Sequence, residues 1–156
     1  MMSGIRAKNT KPELLVRKLL HAAGYRYRLH VAALPGKPDL VLPRHKVVIF
    51  VHGCFWHGHE NCALFRLPKS REEFWANKIG GNVARDRTQE LKLLELGWRI
   101  VTLWECALKG KYRLAEPVLL DQLKAFFQSA GHIVDISGTS PESHFCLQAS
   151  SHSQDK

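Results

Sequence analysis

Residues 47–62, VVIFVHGCFWHGHENC, decide how this chain folds. The first five are apolar and largely β-branched, the composition of a short strand covered on both faces. The remaining eleven hold three histidines, two cysteines, a phenylalanine and a tryptophan. A loop of that kind has no apolar core of its own, so something else must hold it. Cys54, His59 and Cys62 have the spacing C-x4-H-x2-C, and thiolate and imidazole donors suit tetrahedral zinc. Cys106, just past a second strand-like run, is the obvious fourth donor. Four protein ligands leave no open coordination position, so such a zinc would be structural. His57 and His59 lie two apart and would point to opposite sides of an extended backbone, so spacing alone leaves open which one binds metal.

Upstream of this stretch, Asn9 or Thr10 can cap a helix opened by Pro12 and Glu13, which runs with helical periodicity to Gly24. YRYRLHV at 25–31 alternates like a half-exposed strand, ALPGKP turns the chain, and DLVL at 39–42 reads as a second strand. PRHK at 43–46 is short enough for a hairpin turn into the strand at 47–51. Downstream, Ser70 and Glu73 have capping-box spacing before a helix that GGN at 80–82 interrupts and VARDRTQELKLLELG resumes. WRIVTLWE at 98–105 is a fourth strand, on which Trp98 and Trp104 read as packing residues. A last helix spans 112–131, bent or restarted by Pro117. The order helix, three strands, helix, strand, helix predicts an α/β or α+β chain with a mixed sheet flanked by helices.

The chain has 156 residues, 23 Lys and Arg against 14 Asp and Glu, and a formal charge of +9 with 45% hydrophobic residues. This describes a folded basic protein whose usual partner is nucleic acid. The expected organisation is one domain over 1–136 and a polar, loosely attached tail over 137–156 in which Cys146 is a bystander. No run approaches the ~18 apolar residues of a membrane span, and no secretory signal pattern opens the chain, so a cytoplasmic protein without a membrane role is expected.

Asp39 opens a strand after a turn, and Val51 and His52 end the next strand. A carboxylate beside a neighbouring strand end resembles the metal corner of many nucleases, where Mg2+ takes a carboxylate, a backbone carbonyl and phosphate oxygens. His57 or His52 could activate water there. Phe55 and Trp56, inside a polar loop, and Trp75, early in the next helix, are the type of side chain that wedges between base steps.

At LPGKPDLVL, FVHGCFWHGHENC, FWANKIGGNVARDR and LGWRIVTLWECALKG, in that order over about residues 5–112, the chain resembles the very short patch repair (Vsr) mismatch endonucleases. The resemblance implies a restriction endonuclease-like fold, related to the PD-(D/E)xK enzymes, with a structural zinc. It also implies a Mg2+-dependent nickase that cuts the T-containing strand 5′ of a T:G mismatch left by deamination of 5-methylcytosine. Repair would then pass to a polymerase, with mismatch-repair proteins as further partners, and a monomer suffices for a single-strand nick. By the same resemblance Asp39 binds Mg2+ with the Val51 carbonyl, and His57 is the general base. Glu13, His52 and Asp86 are further active-site positions. Cys54, His59, Cys62 and Cys106 are the zinc ligands, and Phe55, Trp56 and Trp75 are the DNA wedge. Val51 stands where familiar members have Thr, and one extra residue separates the zinc-binding His from Cys62. The alternatives are an endonuclease of this fold acting on matched DNA, of restriction or mobile-element type, and a zinc-stabilised DNA-binding module without activity.

Overall fold

Val47–His52 (β3) is the middle strand of a five-stranded sheet, and every residue in it but Val51 is buried. The computed structural model describes residues 9–139. The sheet runs in chain order: β1 (Arg28–Leu29), β2 (Leu40–Leu42), β3, β4 (Arg99–Trp104) and β5 (Ile133–Ile136). The first three strands pair antiparallel, as their short connections dictate, whereas β3–β4 and β4–β5 are parallel and joined through helices. The mixed sheet expected from the element order is therefore present.

Three helices cover it: α1 (Lys11–Ala22), α2 (Glu72–Glu95) and α3 (Glu116–Gln128). Val16 and Leu20 of α1 and Leu119, Leu123 and Phe126 of α3 pack with Leu40, Ile49, Val101 and Leu103 on one face. Leu93 of α2 packs with Val41, Val48, Phe50 and Ile100 on the other. Strands covered on both faces explain the unbroken apolar run at 47–51. No helix among the described residues is long and apolar enough to cross a membrane.

Several details depart from the sequence reading. The first strand shrinks to two residues, because Tyr25 and Tyr27 turn their rings onto the core. Ser70 makes no capping box; Arg71, in left-handed conformation with φ 57°, precedes α2 and no side chain caps it. The helix also runs unbroken through 80–82, since Ile79 is buried and both flanks carry helical pattern. Pro117 occupies the first turn of α3, where its missing N–H costs nothing, and starts the helix without bending it. β5 was not anticipated. Three of its four residues are apolar, but the run is too short to mark a strand; among the described residues it pairs along only one edge and leaves Ile133 exposed. Thr10, of the two candidates, caps α1 by accepting from the Glu13 N–H. Of the predicted tail, Gly138 and Thr139 are bound: Gly138 N–H donates to Cys106 Sγ at 3.2 Å and Thr139 N–H to the Tyr112 carbonyl at 2.9 Å. Residues 140–156 of that tail lie outside the described residues.

A Cβ added at Gly80 or Gly81 would meet nothing within 4 Å. Gly80→Ala should therefore stabilise the protein by roughly 0.5–1 kcal/mol through helix propensity alone, read as a higher midpoint in chemical denaturation.

Candidate active site and metal centre

The carboxylate corner is built by the hairpin. Asp39, immediately before β2, accepts the Val51 N–H on Oδ2 at 2.7 Å across the β2–β3 pair. In a strand the N–H and C=O of one residue face the same edge, so the Val51 carbonyl shares Asp39's side. Glu13 of α1 is buried close by, its Oε1 accepting the Asn9 N–H at 3.0 Å and its Oε2 paired with Arg17 and His30. Burial above all, with the nearby Glu13 charge adding, pushes the Asp39 carboxyl up to about 7 from its ordinary 3.8, although the Val51 N–H opposes this. Asp39 is thus a carboxylate short of positive charge. Hard oxygen donors around such a group fit Mg2+ chemically.

His30 was missed. Its Nε2 lies 2.8 Å from Glu13 Oε2 and its Nδ1 3.9 Å from Asp39 Oδ1, so it separates the two acids. Its left-handed backbone, φ 46°, aims it there, and nothing in the alternation of residues 25–31 signals that conformation.

The loop 53–62 is not extended, as its histidine spacing suggested, but wound into turns. His57 N–H donates to the Gly53 carbonyl and His59 N–H to the Cys54 carbonyl, at 3.2 and 2.9 Å. Gly58, at φ 63°, separates the two histidines and packs so close to α2 that a Cβ would fall 2.9 Å from Ile79. His57 Nδ1 lies 2.6 Å from Asp86 Oδ2, and the His57 ring stacks on His52 at 3.7 Å between centroids and 3° between planes. Burial pushes His52 down to about 3, so it stays neutral at working pH. Asp86 has a companion one turn earlier on α2: Asn82 Nδ2 donates to the Trp56 carbonyl at 2.9 Å. Sequence reasoning missed Asn82 because GGN at 80–82 reads as a break, and only the unbroken α2 sets it one turn from Asp86.

Cys54, His59, Cys62 and Cys106 present four ligand atoms within 4.8 Å of one another, with Cys106 Sγ 3.6 Å from His59 Nδ1. Zinc–sulfur and zinc–nitrogen bonds of ~2.3 and ~2.0 Å imply tetrahedral edges of ~3.5–3.8 Å. The donor set and spacing therefore fit zinc. The Cys54–Cys106 hydrogen bond draws the Cys106 thiol down and drives the Cys54 thiol up. Three thiolates cannot share this space uncompensated.

Phe55, Trp56 and Trp75 meet as one cluster, with centroids 5.1–5.9 Å apart. Phe55 and Trp56 line a groove of about 850 Å³ that also holds Glu13, Asp39, His52 and His57, with Lys78 at its rim. Every residue singled out in the sequence except Trp75, Asp86 and the zinc-type ligands lines this groove. Trp75 meets Trp56 and Asp86 meets His57, both of which line it.

The sequence model of the family described as DNA mismatch endonuclease Vsr matches residues 1–64. The DNA mismatch endonuclease Vsr of Escherichia coli K12 is 44% identical over 130 residues, 83% of either chain. The type II nicking enzyme V.XorIIP of Xanthomonas oryzae pv. oryzae is 53% identical over 108 residues, 69% of this chain and 79% of the relative. The type II nicking enzyme V.NmeAIP of Neisseria meningitidis is 47% identical over 111 residues, 71% of this chain and 79% of the relative.

The raised Asp39 carboxyl has a stability consequence. An acid with its folded pKa near 7 and an ordinary value of 3.8 costs nothing below pH ~4. The cost grows between pH ~4 and ~7 and is complete above, because only the unfolded chain ionises freely in that window. Asp39→Asn should remove it. In magnesium-free buffer the variant should exceed the parent by roughly 2–4 kcal/mol at pH 8 and match it at pH 4, as measured by urea denaturation. Cys106→Ser should lower the zinc content per chain and the melting temperature together, measured by metal analysis and calorimetry.

Proposed function

From the premise that this chain belongs to the Vsr family of DNA mismatch endonucleases, we propose that it nicks duplex DNA on the 5′ side of the thymine of a T:G mismatch. One observation carries this reading. Phe55, Trp56 and His57 are consecutive, so a wedge placed in the base stack sets the base at a constant distance along the strand. Coupling the two on one loop gives a cut at a defined offset, in one strand, without a second protomer. The chain acts as a monomer, and the family relationship supports a restriction endonuclease-like core over 1–136, working on DNA in the bacterial cytoplasm.

Asp86 accepts the Nδ1–H of His57, leaving Nε2 free to take the proton of the attacking water. His52, held neutral against the face of His57, keeps a second positive charge away while that proton arrives. As the water oxygen bonds to phosphorus, the bond from phosphorus to the leaving sugar oxygen breaks; that oxygen takes a proton from solvent water, and His57 returns its own proton to solvent. Asp39 and the Val51 carbonyl would hold Mg2+, which when bound offsets phosphate charge. Glu13, fixed by Arg17, His30 and the Asn9 N–H, faces the same corner and orients water there. Cys54, His59, Cys62 and Cys106 would hold zinc with no position left for substrate, so its contribution is to loop shape. Filling the resulting gap falls to a polymerase and ligase.

Duplexes carrying a T:G mismatch in varied pentamer contexts, incubated with protein and Mg2+, should be nicked in the T strand. Cutting of fully matched duplex at an equal rate would favour the reading as a restriction or mobile-element nuclease, and absence of cutting in every context would leave only a binding module. Asp39→Ala should abolish nicking yet keep affinity for the mismatch in calcium buffer, because it removes a metal ligand and leaves the wedge. Trp56→Ala should weaken mismatch binding about 10–100-fold, the equivalent of ~1–3 kcal/mol of lost stacking, in a gel-shift titration. An unchanged dissociation constant there would reject the wedge.

A further inference from the structure

Trp104 ends β4, in register with His52 at the end of β3, and is almost wholly buried. Its indole face stacks on His59 at 4.0 Å between centroids and 5° between planes. It meets the His52 ring nearly perpendicularly, at 5.5 Å and 74°, and His52 in turn lies flat on His57. The four rings form one column from a zinc-type ligand at one end to the proposed base at the other.

What fixes each ring differs. Among the described residues the His57 ring has one hydrogen bond, to Asp86, about which its plane could still swing. The face of His52, 3.7 Å away, removes that freedom. His52 itself is bounded by aromatic rings, Phe50 at 5.5 Å, Trp104 and His57. Trp104 is locked on both sides, by His59 across its face and by its Nε1–H, which donates to Asp135 Oδ2 of β5 at 3.3 Å. The pose of His52, and through it the plane of His57, therefore follows from the pose of Trp104. Offset and edge-on ring contacts are favourable by only ~0.5–1.5 kcal/mol each, but the buried His52 and Trp104 rings leave no alternative rotamer without a void, and the half-buried His57 ring is held by its stack on His52 and its bond to Asp86.

We infer that Trp104 is a positioning residue for His57, carrying the geometry of the Cys54–His59–Cys62–Cys106 cluster to the proton-accepting ring through His52. This rests on the reading of His57 as the base and deepens it. Substrate is not touched by Trp104, so its removal should alter turnover more than binding. Asp135, on a strand absent from the sequence reading, becomes part of the same device.

The test uses the full chain with Trp104→Leu, Trp104→Phe and Asp135→Ala. Four quantities are measured: zinc per chain, affinity for a T:G duplex in calcium, single-turnover nicking with Mg2+, and the imidazole nitrogen spectrum of 15N-histidine-labelled protein. Trp104→Leu should keep one zinc and bind the duplex within about twofold of the parent, yet nick at least ~10-fold more slowly, in keeping with the cost of small misplacements. Its His57 signals should move from a single tautomer, protonated at Nδ1, to an averaged pair. Trp104→Phe, which restores a ring to the column, should recover most of the rate and the single tautomer. A Leu variant with parental nicking and unchanged His57 signals overturns the inference, as does one that loses zinc and DNA binding in step with activity. Should the Leu variant not fold, Asp135→Ala decides: it frees the indole while leaving every ring, and unchanged His57 signals there refute the role. If the parent protein itself nicks no T:G duplex, the substrate reading fails alone, because the imidazole spectrum still reports the coupling.

Discussion

Cys106, reaching the loop 53–62 from just beyond the end of β4, is the contact on which the site depends. Among the described residues the loop buries Cys54 completely, in a small cluster with Cys62, Cys106 and Trp104, while its Phe55 and Trp56 stay half-exposed. Several side chains with separate tasks leave that loop within a few residues of one another, and their relative placement is only as good as the loop's attachment. Glu105 adds a second tie, accepting the Cys54 N–H at 3.2 Å from the same end of β4. From α2, Asn82 and Asp86 grip the loop at the Trp56 carbonyl and the His57 ring. A short polar segment is thereby held from two elements with little hydrophobic burial of its own.

The electrostatics of the corner are unfavourable by design. Burial moves Asp39 up and His52 down, each toward its neutral form, within one groove. For Asp39 this disfavours the metal-free folded state near neutral pH and so favours cation uptake, since a divalent ion supplies what the surroundings withhold. For His52 it keeps one of two stacked imidazoles uncharged. Local stability is given up where chemistry needs the charge imbalance.

Much of the site could be read from residue type and order. Asp39, Val51 and His57 lie in or beside runs whose strand and loop character the pattern shows, and the Cys and His spacing names a donor set. The missing parts share a cause. His30 depends on a left-handed backbone that no alternation betrays. Asn82 depends on α2 passing unbroken through two glycines, which reads locally as a break. β5 and Asp135 belong to an edge strand of four residues, three of them apolar, a run too short to announce itself. In each case the deciding force is contact with a distant element, not local propensity.

By itself the sequence determined the order of most elements, the buried strand at 47–51, the donor set for metal and the basic, DNA-directed character of the chain. Those properties reside in composition and short-range period, which any window of residues reveals. Only the tertiary structure decided that β3 and β4 run parallel in a register placing His52 beside Trp104, and that Cys106 closes on His59. It also decided that Asp86 returns from 29 residues away to meet His57. Such meetings are set by how α2 packs over the sheet and by which ring fills which void, quantities that exist only once the core has closed.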